Sequence, residues 1–149
     1  MQAAIDEALS GVEKGDGGPF GAVVVRDGEI IARGHNQVVT ENDPTSHAEI
    51  VAIRQACASL GTFDLSACDL YTTCEPCPMC YAAAWWAHIR AIYYGCTRDD
   101  AGSYGFDDAA IYDDLEGRGA REIPLTQIER QACLGPMRRW KDRPDRVPY

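Results

Sequence analysis

The alternation of hydrophobic and polar positions predicts a helix and then a β-hairpin at the start of the chain. Apolar residues recur at helical spacing in residues 3–14, and the glycine-rich segment 15–19 ends the helix. Two short β-branched runs, 20–26 and 29–34, flank Asp27-Gly28, a turn that tolerates positive φ and joins antiparallel strands.

The middle of the chain alternates helix and strand patterns. Helical periodicity covers 46–60 and 76–87, and the runs 69–73 and 91–95 are typical of strands. A strand, a helix and another strand in succession indicate a parallel βαβ unit. We therefore expect an α/β protein with helices on the faces of its sheet.

The last third of the chain is predicted to add one strand and one helix. A short strand is expected at 121–125, and Thr126 with Glu129 forms a capping-box pattern for a helix that breaks at Gly135-Pro136. No repeat or linker divides the chain, so we expect a single domain over 1–149, with 136–149 as a C-terminal tail.

Composition narrows the function classes. The longest apolar run, 81–87, is too short to cross a membrane, and no basic-then-apolar leader opens the chain, so we expect a cytoplasmic protein with no membrane partner. A net charge of −9 disfavours nucleic-acid binding. Seven cysteines in a reducing compartment indicate metal ligands, nucleophiles or buried thiols rather than disulfides.

The charge is unevenly distributed. Residues 138–149 hold five basic and two acidic residues, whereas six aspartates fall between Asp99 and Asp114. An acidic loop could meet a basic tail within one chain or between two chains, and solvated surface is the alternative.

Three side chains have the spacing of a zinc site. His47 lies at the start of one predicted helix, and Cys77 and Cys80 lie three residues apart at the start of another, where the helix N-terminus favours thiolates. Two thiolates and an imidazole leave the fourth position of a tetrahedral zinc for water, which the metal acidifies. Glu49, two residues after His47, could take that water's proton.

Simpler explanations exist for the same residues. Ser46 and Glu49 have capping-box spacing, which alone would account for the glutamate. Cys74 lies three residues before Cys77, so a structural zinc held by Cys74, Cys77, Cys80 and His47 is an alternative. A site with four protein ligands would leave Glu49 no water to activate.

His47-Ala48-Glu49 with Pro76-Cys77-Pro78-Met79-Cys80 is the zinc-deaminase motif pair, and the chain resembles the cytidine deaminase-like superfamily. That resemblance implies a three-layer α/β/α fold around a mixed five-stranded sheet. It also implies one zinc ion per chain, held by His47, Cys77 and Cys80, with Glu49 as the proton shuttle.

Within the superfamily the chain is most similar to the bacterial guanine deaminases. Segments 17–23, 42–49 and 74–80 are shared with other base deaminases, whereas Gly105-Phe106-Asp107-Asp108 with Ile111-Tyr112 is typical of the guanine branch. The implied reaction converts guanine to xanthine and ammonia, with hydroxide on zinc attacking the amine-bearing carbon.

The resemblance also implies substrate contacts. Asn36 would hydrogen-bond the base, with a turn-forming role as the alternative. Asp108 would orient the amine and is counted with Glu49 as catalytic, with a helix cap as the alternative. Phe20 and Trp86 would form an aromatic wall, unless they are ordinary core. Ala48 is counted with the substrate-binding residues.

Guanine deaminases of this type are similar to one another in exchanging C-terminal segments across a homodimer. The resemblance therefore implies a homodimer, with the tail of one chain closing the other's site and Tyr149 as the candidate contact. The tail is richer in proline than the family pattern.

Two enzymatic alternatives share the zinc motifs. One is a tRNA adenosine deaminase, which the net charge disfavours, and the other is a deaminase of cytosine, guanosine or an aminated triazine. A structural zinc-binding interaction module is the alternative from a different class, and a metal without a water ligand would identify it.

Overall fold

The computed structural model describes residues 1–118 and 123–148. It contains four strands and seven helices within those residues: α1 (Gln2–Lys14), β1 (Gly21–Arg26), β2 (Glu29–His35), α2 (Val38–Glu41), α3 (Ala48–Leu60), β3 (Cys68–Cys74), α4 (Pro78–Trp86), β4 (Ala91–Cys96), α5 (Arg98–Ser103), α6 (Ala109–Glu116) and α7 (Arg130–Lys141). In this part of the chain no helix has the length and apolarity needed to cross a membrane.

The sheet is mixed, as expected, with strand order β2-β1-β3-β4. The hairpin is confirmed: β1 and β2 pair antiparallel, and the turn between them holds Asp27 at φ 52° and Gly28 at φ 83°. β1 also pairs antiparallel with β3, whereas β3 and β4 are parallel across α4, which confirms the βαβ unit.

Helices cover both faces of this sheet. α1 packs against one face, where a Cβ at Gly21 would lie 2.1 Å from the Ala4 carbonyl oxygen. α3 packs against the opposite face, where a Cβ at Gly34 would lie 2.6 Å from the Ala48 carbonyl oxygen. The main core lies on the α3 side and joins Ala22, Val24 and Leu70 to the inner faces of α3 and α4. This close packing positions the N-terminus of α3, where the candidate site lies.

Helix starts differ from the expected ones. His47 and Cys77 are N-cap residues with extended backbones, so α3 begins at Ala48 and α4 at Pro78, which takes the first-turn place expected for Pro76. Residues 36–45, which the polar composition between the predicted hairpin and the predicted helix 46–60 would make a loop, contain α2. Its formation depends on a distant partner, because the carbonyl of Asp16 accepts the backbone N–H groups of Val39 and Thr40.

The C-terminal expectations are partly wrong. Residues 123–125 form no strand, while 121 and 122 lie outside the described residues, so the described sheet has four strands rather than five. α7 begins after Glu129, whose φ of 51° is incompatible with the expected capping box, and it continues through Pro136 to Lys141. The helix is exposed, so water can meet the carbonyl that Pro136 leaves without a helical partner.

The chain divides into two compact units, Met1–Ile111 and Tyr112–Tyr149. The first contains the sheet and every residue of the candidate site described below. The second contains α7 and exposes many large apolar side chains, among them Leu125, Ile128 and Met137. The single-domain expectation stays a prediction.

Candidate active site

The N-termini of α3 and α4 bring three ligand atoms together. His47 Nδ1 lies 3.5 Å from Cys80 Sγ and 3.7 Å from Cys77 Sγ, and all three ligand atoms fall within 4.8 Å of one another. Zinc bonds of about 2.0–2.1 Å to nitrogen and 2.3 Å to sulfur, at a tetrahedral angle, would separate N and S by roughly 3.6 Å. The donor types and the spacing therefore fit a zinc ion.

The electrostatics of these groups favour a metal-binding thiolate. A hydrogen bond from Cys80, followed by a contact with His47, lowers the pKa of Cys77 to about 4. The same pairing keeps the proton on Cys80 and raises its pKa, with burial contributing in the same direction. Cys77 is thus the ionised member of the pair, and Cys80 gives up its proton when a cation is bound.

Glu49 occupies the first turn of α3 and is only 6% exposed. Its Oε2 lies 3.5 Å from Cys80 Sγ, so the carboxyl group faces the ligand cluster without belonging to it. Burial raises the pKa of Glu49 above its usual value. The capping-box alternative does not form, because His47 is the N-cap and the Ser46 hydroxyl donates to Glu41 instead.

Cys74 stands apart from the cluster. Its thiol donates to the Thr97 carbonyl at 3.6 Å, and burial with the neighbouring Cys96 raises the pKa of Cys74 to about 11. In residues 1–118 and 123–148 the group of ligands close enough to share a metal consists of His47, Cys77 and Cys80. The geometry therefore favours an open site over a closed structural one.

A cavity of about 540 Å³ opens over Glu49, and its lining is mostly apolar. Phe20, Asn36 and Asp108, the candidate substrate contacts, all line it. Desolvation raises the pKa of Asp108, and the nearby Cys77 thiolate adds to this shift.

Phe106 is a lining residue that the sequence reasoning did not single out. Its ring meets the edge of Phe20 in a T-shaped pair with centroids 4.9 Å apart. The signal is the segment Gly105-Phe106-Asp107-Asp108, from which the sequence prediction took only Asp108 as a site residue. Asp107 rather than Asp108 accepts the Ala109 N–H at the start of α6, which leaves the Asp108 carboxylate for the cavity.

Two predicted contacts, Ala48 and Trp86, are not brought to the cavity. Ala48 is fully buried where α3 packs against β2, and Trp86 is 53% exposed at the end of α4. Trp86 lies six positions after Cys80 along the helix, and at about 100° per residue this turns Trp86 well away from the face that carries Cys80. Tyr149 lies outside the described residues.

Comparisons with known proteins agree with this geometry. Residues 1–96 match the cytidine and deoxycytidylate deaminase zinc-binding region. The chain is 46% identical over 150 residues to the guanine deaminase of Bacillus subtilis strain 168, covering 100% of this chain and 96% of the relative. It is 48% identical over 103 residues to a tRNA-specific adenosine deaminase of Agrobacterium fabrum strain C58, covering 69% of this chain and 67% of the relative.

Solved structures show the same likeness. The X-ray structure of guanine deaminase from Bacillus subtilis matches with a TM-score of 0.94 at 47% identity, over 99% of this chain and 95% of that one. A guanine deaminase structure from Nitrosomonas europaea matches with a TM-score of 0.66 at 34% identity, over 80% and 64%.

Proposed function

The chain belongs to the cytidine and deoxycytidylate deaminase zinc-binding family, and on that premise we propose that it hydrolyses guanine to xanthine and ammonia. The observation that carries the proposal is the cluster of His47, Cys77 and Cys80 beside the buried Glu49, at the base of a mostly apolar cavity. Likeness to a guanine deaminase over the whole chain, and to tRNA deaminases over about two thirds of it, supports a free base as the substrate.

His47, Cys77 and Cys80 hold the zinc ion. When bound, the ion supplies the Lewis acidity that makes water nucleophilic at neutral pH. Glu49 moves the protons in two transfers. It takes the first from the attacking water and delivers it to the ring nitrogen beside the amine. It then takes the second from the hydroxyl that has added to the carbon and gives it to the amine, which leaves as ammonia while the carbon becomes a carbonyl. Its burial, at 6% exposed, keeps bulk water from this exchange.

The cavity walls position the base. Asn36 hydrogen-bonds the ring edge, and Asp108 accepts from the exocyclic amine. Phe20 and Phe106 present an aromatic corner against which a flat purine packs. A base that carries its amine elsewhere would leave Asp108 unpaired, at a cost of about 1–3 kcal/mol.

The test is ammonia release from guanine, guanosine, cytosine, adenine and a tRNA anticodon stem-loop, offered to purified zinc-loaded protein. Guanine should be consumed, and Glu49→Gln should keep one zinc per chain while losing about 10²- to 10⁴-fold in kcat. Turnover of the stem-loop with guanine untouched would reject the substrate. Retained activity in zinc-loaded Glu49→Gln would remove the carboxylate from its role.

We also propose that the protein is a homodimer in which residues 136–149 close the partner's site, with Tyr149 as a contact. The support is exposed apolar surface. The exposed apolar side chains of α4 and β4 include Trp85, Trp86 and Tyr94, and the C-terminal unit exposes Met137. A lone soluble chain rarely leaves this much large apolar surface in water.

Subunit complementation tests the exchange. A chain truncated before residue 136 keeps its site but lacks a tail, and Glu49→Gln keeps its tail but lacks turnover. Mixed and refolded together, the two should recover activity that neither has alone. A mixture that stays inactive although light scattering shows mixed dimers would refute the exchange, and a monomeric wild-type mass would refute the dimer.

We place the protein in the cytoplasm. The seven cysteines are all free, as a reducing compartment maintains them. Cell fractionation of the tagged full chain would test this placement, and recovery outside the cytosolic fraction would contradict it.

A further inference from the structure

His35, the last residue of β2, is a buried side chain that the mechanism does not use. It is 9% exposed, and each of its ring nitrogens faces a carboxylate. Nε2 lies 2.9 Å from Asp16 Oδ2, and Nδ1 lies 3.4 Å from Glu7 Oε2 on α1. The ring also packs closely on α1, because a Cβ at Gly11 would lie 2.7 Å from the ring's Cδ2. His35 therefore joins the end of β2 to α1 and to the loop that follows α1.

Asp16, in that loop, links His35 to α2. Its carboxylate is shared, because Oδ2 accepts from His35 Nε2 and Oδ1 accepts the Thr40 hydroxyl at 2.7 Å. Its carbonyl oxygen accepts the backbone N–H groups of Val39 and Thr40 at 3.1 and 3.2 Å. The hydrogen bonds from Thr40 and His35 lower the pKa of Asp16, so the carboxylate stays ionised and accepts from both sides.

The short helix α2 needs this support. It is four residues long, and a single helical turn is unstable on its own because nucleation is costly. None of its four residues is buried, so packing contributes little to holding it. Two of them, Val38 and Val39, nevertheless line the cavity. The position of this part of the cavity wall therefore depends on the hydrogen bonds to Asp16.

We propose that His35 is a positioning residue for substrate binding: it orients the Asp16 carboxylate, and Asp16 in turn holds α2 and its two valines in the cavity wall. His35, Asp16 and Thr40 are not among the lining residues, so the effect on the substrate passes through α2. The ligand that this wall fits is a flat, largely apolar ring. The inference rests on the proposed function for the substrate, and it adds a residue outside the cavity on which affinity depends.

Two substitutions at His35 separate the hydrogen bond from the ring. The amide nitrogen of glutamine can occupy the place of Nε2, whereas that of asparagine reaches only as far as Nδ1, and both variants lose the imidazole. His35→Asn should raise KM for guanine by roughly 5- to 30-fold with kcat and zinc content close to wild type, and His35→Gln should stay within about twofold of the wild-type KM. Equal KM values in the two variants, or a fall in kcat with KM unchanged, would overturn the proposal.

His88→Asn is the matched control. His88 also faces a carboxylate, that of Asp64 at 3.6 Å, but it is not a lining residue of the cavity. Its backbone φ of 58° is one that asparagine adopts readily, so the substitution adds no strain. KM for guanine should stay at its wild-type value. A rise equal to that of His35→Asn would overturn the assignment to His35.

Thr40 tests the other end of the same link without disturbing the buried histidine. Thr40→Val removes the hydroxyl at an exposed position while keeping the shape, and Thr40→Ser keeps the hydroxyl. Thr40→Val should raise KM, and Thr40→Ser should not. In Asp16→Ala, where the side-chain link is already broken, adding His35→Asn should raise KM no further. An additional increase there would show that His35 acts by another route and would refute the positioning.

Hydrogen exchange tests the link with no substrate present. The amides of Val39 and Thr40 should exchange about tenfold faster in His35→Asn and in Thr40→Val than in wild type, while His35→Gln keeps them protected. Equal exchange in wild type and His35→Asn would overturn the proposal. Wild-type protein that shows the expected exchange pattern but neither binds nor deaminates guanine would refute the proposed substrate and leave the positioning of α2 standing.

Discussion

Replacing Gly34 with alanine should loosen both the fold and the zinc site. Gly34 lies on β2 directly beneath α3, and its added Cβ would sit 2.6 Å from the Ala48 carbonyl oxygen and 2.8 Å from the Ala52 nitrogen. Both neighbours are backbone atoms of one helix, so no side-chain rotation relieves the clash. α3 must move away from the sheet.

The size of the effect follows from these distances. Restoring an ordinary contact requires α3 to retreat by roughly 0.8 Å. Overpacking of this kind costs about 1–3 kcal/mol, which in a chain of this length lowers Tm by roughly 2–4 °C per kcal/mol. His47 and Glu49 move with α3, whereas Cys77 and Cys80 stay with α4. Metal–ligand distances tolerate only about 0.2 Å, so zinc affinity should fall at least tenfold.

The assay pairs thermal unfolding with competitive zinc titration against a chelating dye, using Gly102→Ala as the control, since its Cβ would meet Asp107 at an ordinary 3.9 Å. Gly34→Ala should lose both stability and zinc affinity, and the control neither. Wild-type values for both properties would refute the packing of α3 on β2. Lost stability with unchanged zinc affinity would show that β2 absorbs the strain, and would refute the coupling to the metal site.

Three further outcomes are expected. Arg90 donates two hydrogen bonds to Asp69 that hold the pKa of Asp69 below its usual value. The stability that these two bonds contribute is complete above about pH 4 and is lost as pH falls through the folded-state pKa of Asp69. The melting temperature of Arg90→Met should therefore differ from that of wild type at about pH 7, and the two should converge near pH 2. A difference that stays constant with pH would contradict the pairing. Leu70→Ala, at a fully buried position, should lower the free energy of unfolding by about 2–5 kcal/mol in urea titrations, and Leu9→Ala, 57% exposed, by less than about 1 kcal/mol. Cys80→Ser should bind less than one zinc per chain by elemental analysis, and a full equivalent would exclude Cys80 as a ligand.

Features set by neighbours in the chain were predictable from the sequence. Asp27-Gly28 specifies a tight turn whatever surrounds it. The strand patterns at 69–73 and 91–95, with the helix pattern at 76–87 between them, indicated the βαβ unit. The cluster that could hold a metal was also predictable, because His47, Cys77 and Cys80 combine the residue types and spacing that zinc requires.

Features set by distant contacts were not predictable. α2 depends on Asp16, more than twenty residues earlier, for two of its backbone hydrogen bonds. Glu129 looked like the end of a capping box, but its left-handed backbone places the helix start after it. Asn36 Oδ1 accepts the backbone N–H groups of Gly18, in the loop before β1, and of Val38, the first residue of α2. No local sequence pattern indicates contacts between residues so far apart in the chain.

The division of labour between helix starts and loops has an evolutionary consequence. The candidate metal ligands and Glu49 sit at the N-caps and first turns of α3 and α4, and α3 is held on the sheet by close backbone packing. Phe20, Asn36 and Phe106 instead belong to connecting segments. Loops tolerate sequence change far better than packed elements do. A lineage with this architecture could acquire new substrates by drift and insertion in three short segments while inheriting its chemistry intact. That is a physical basis for one ancestral scaffold diversifying into many deaminases.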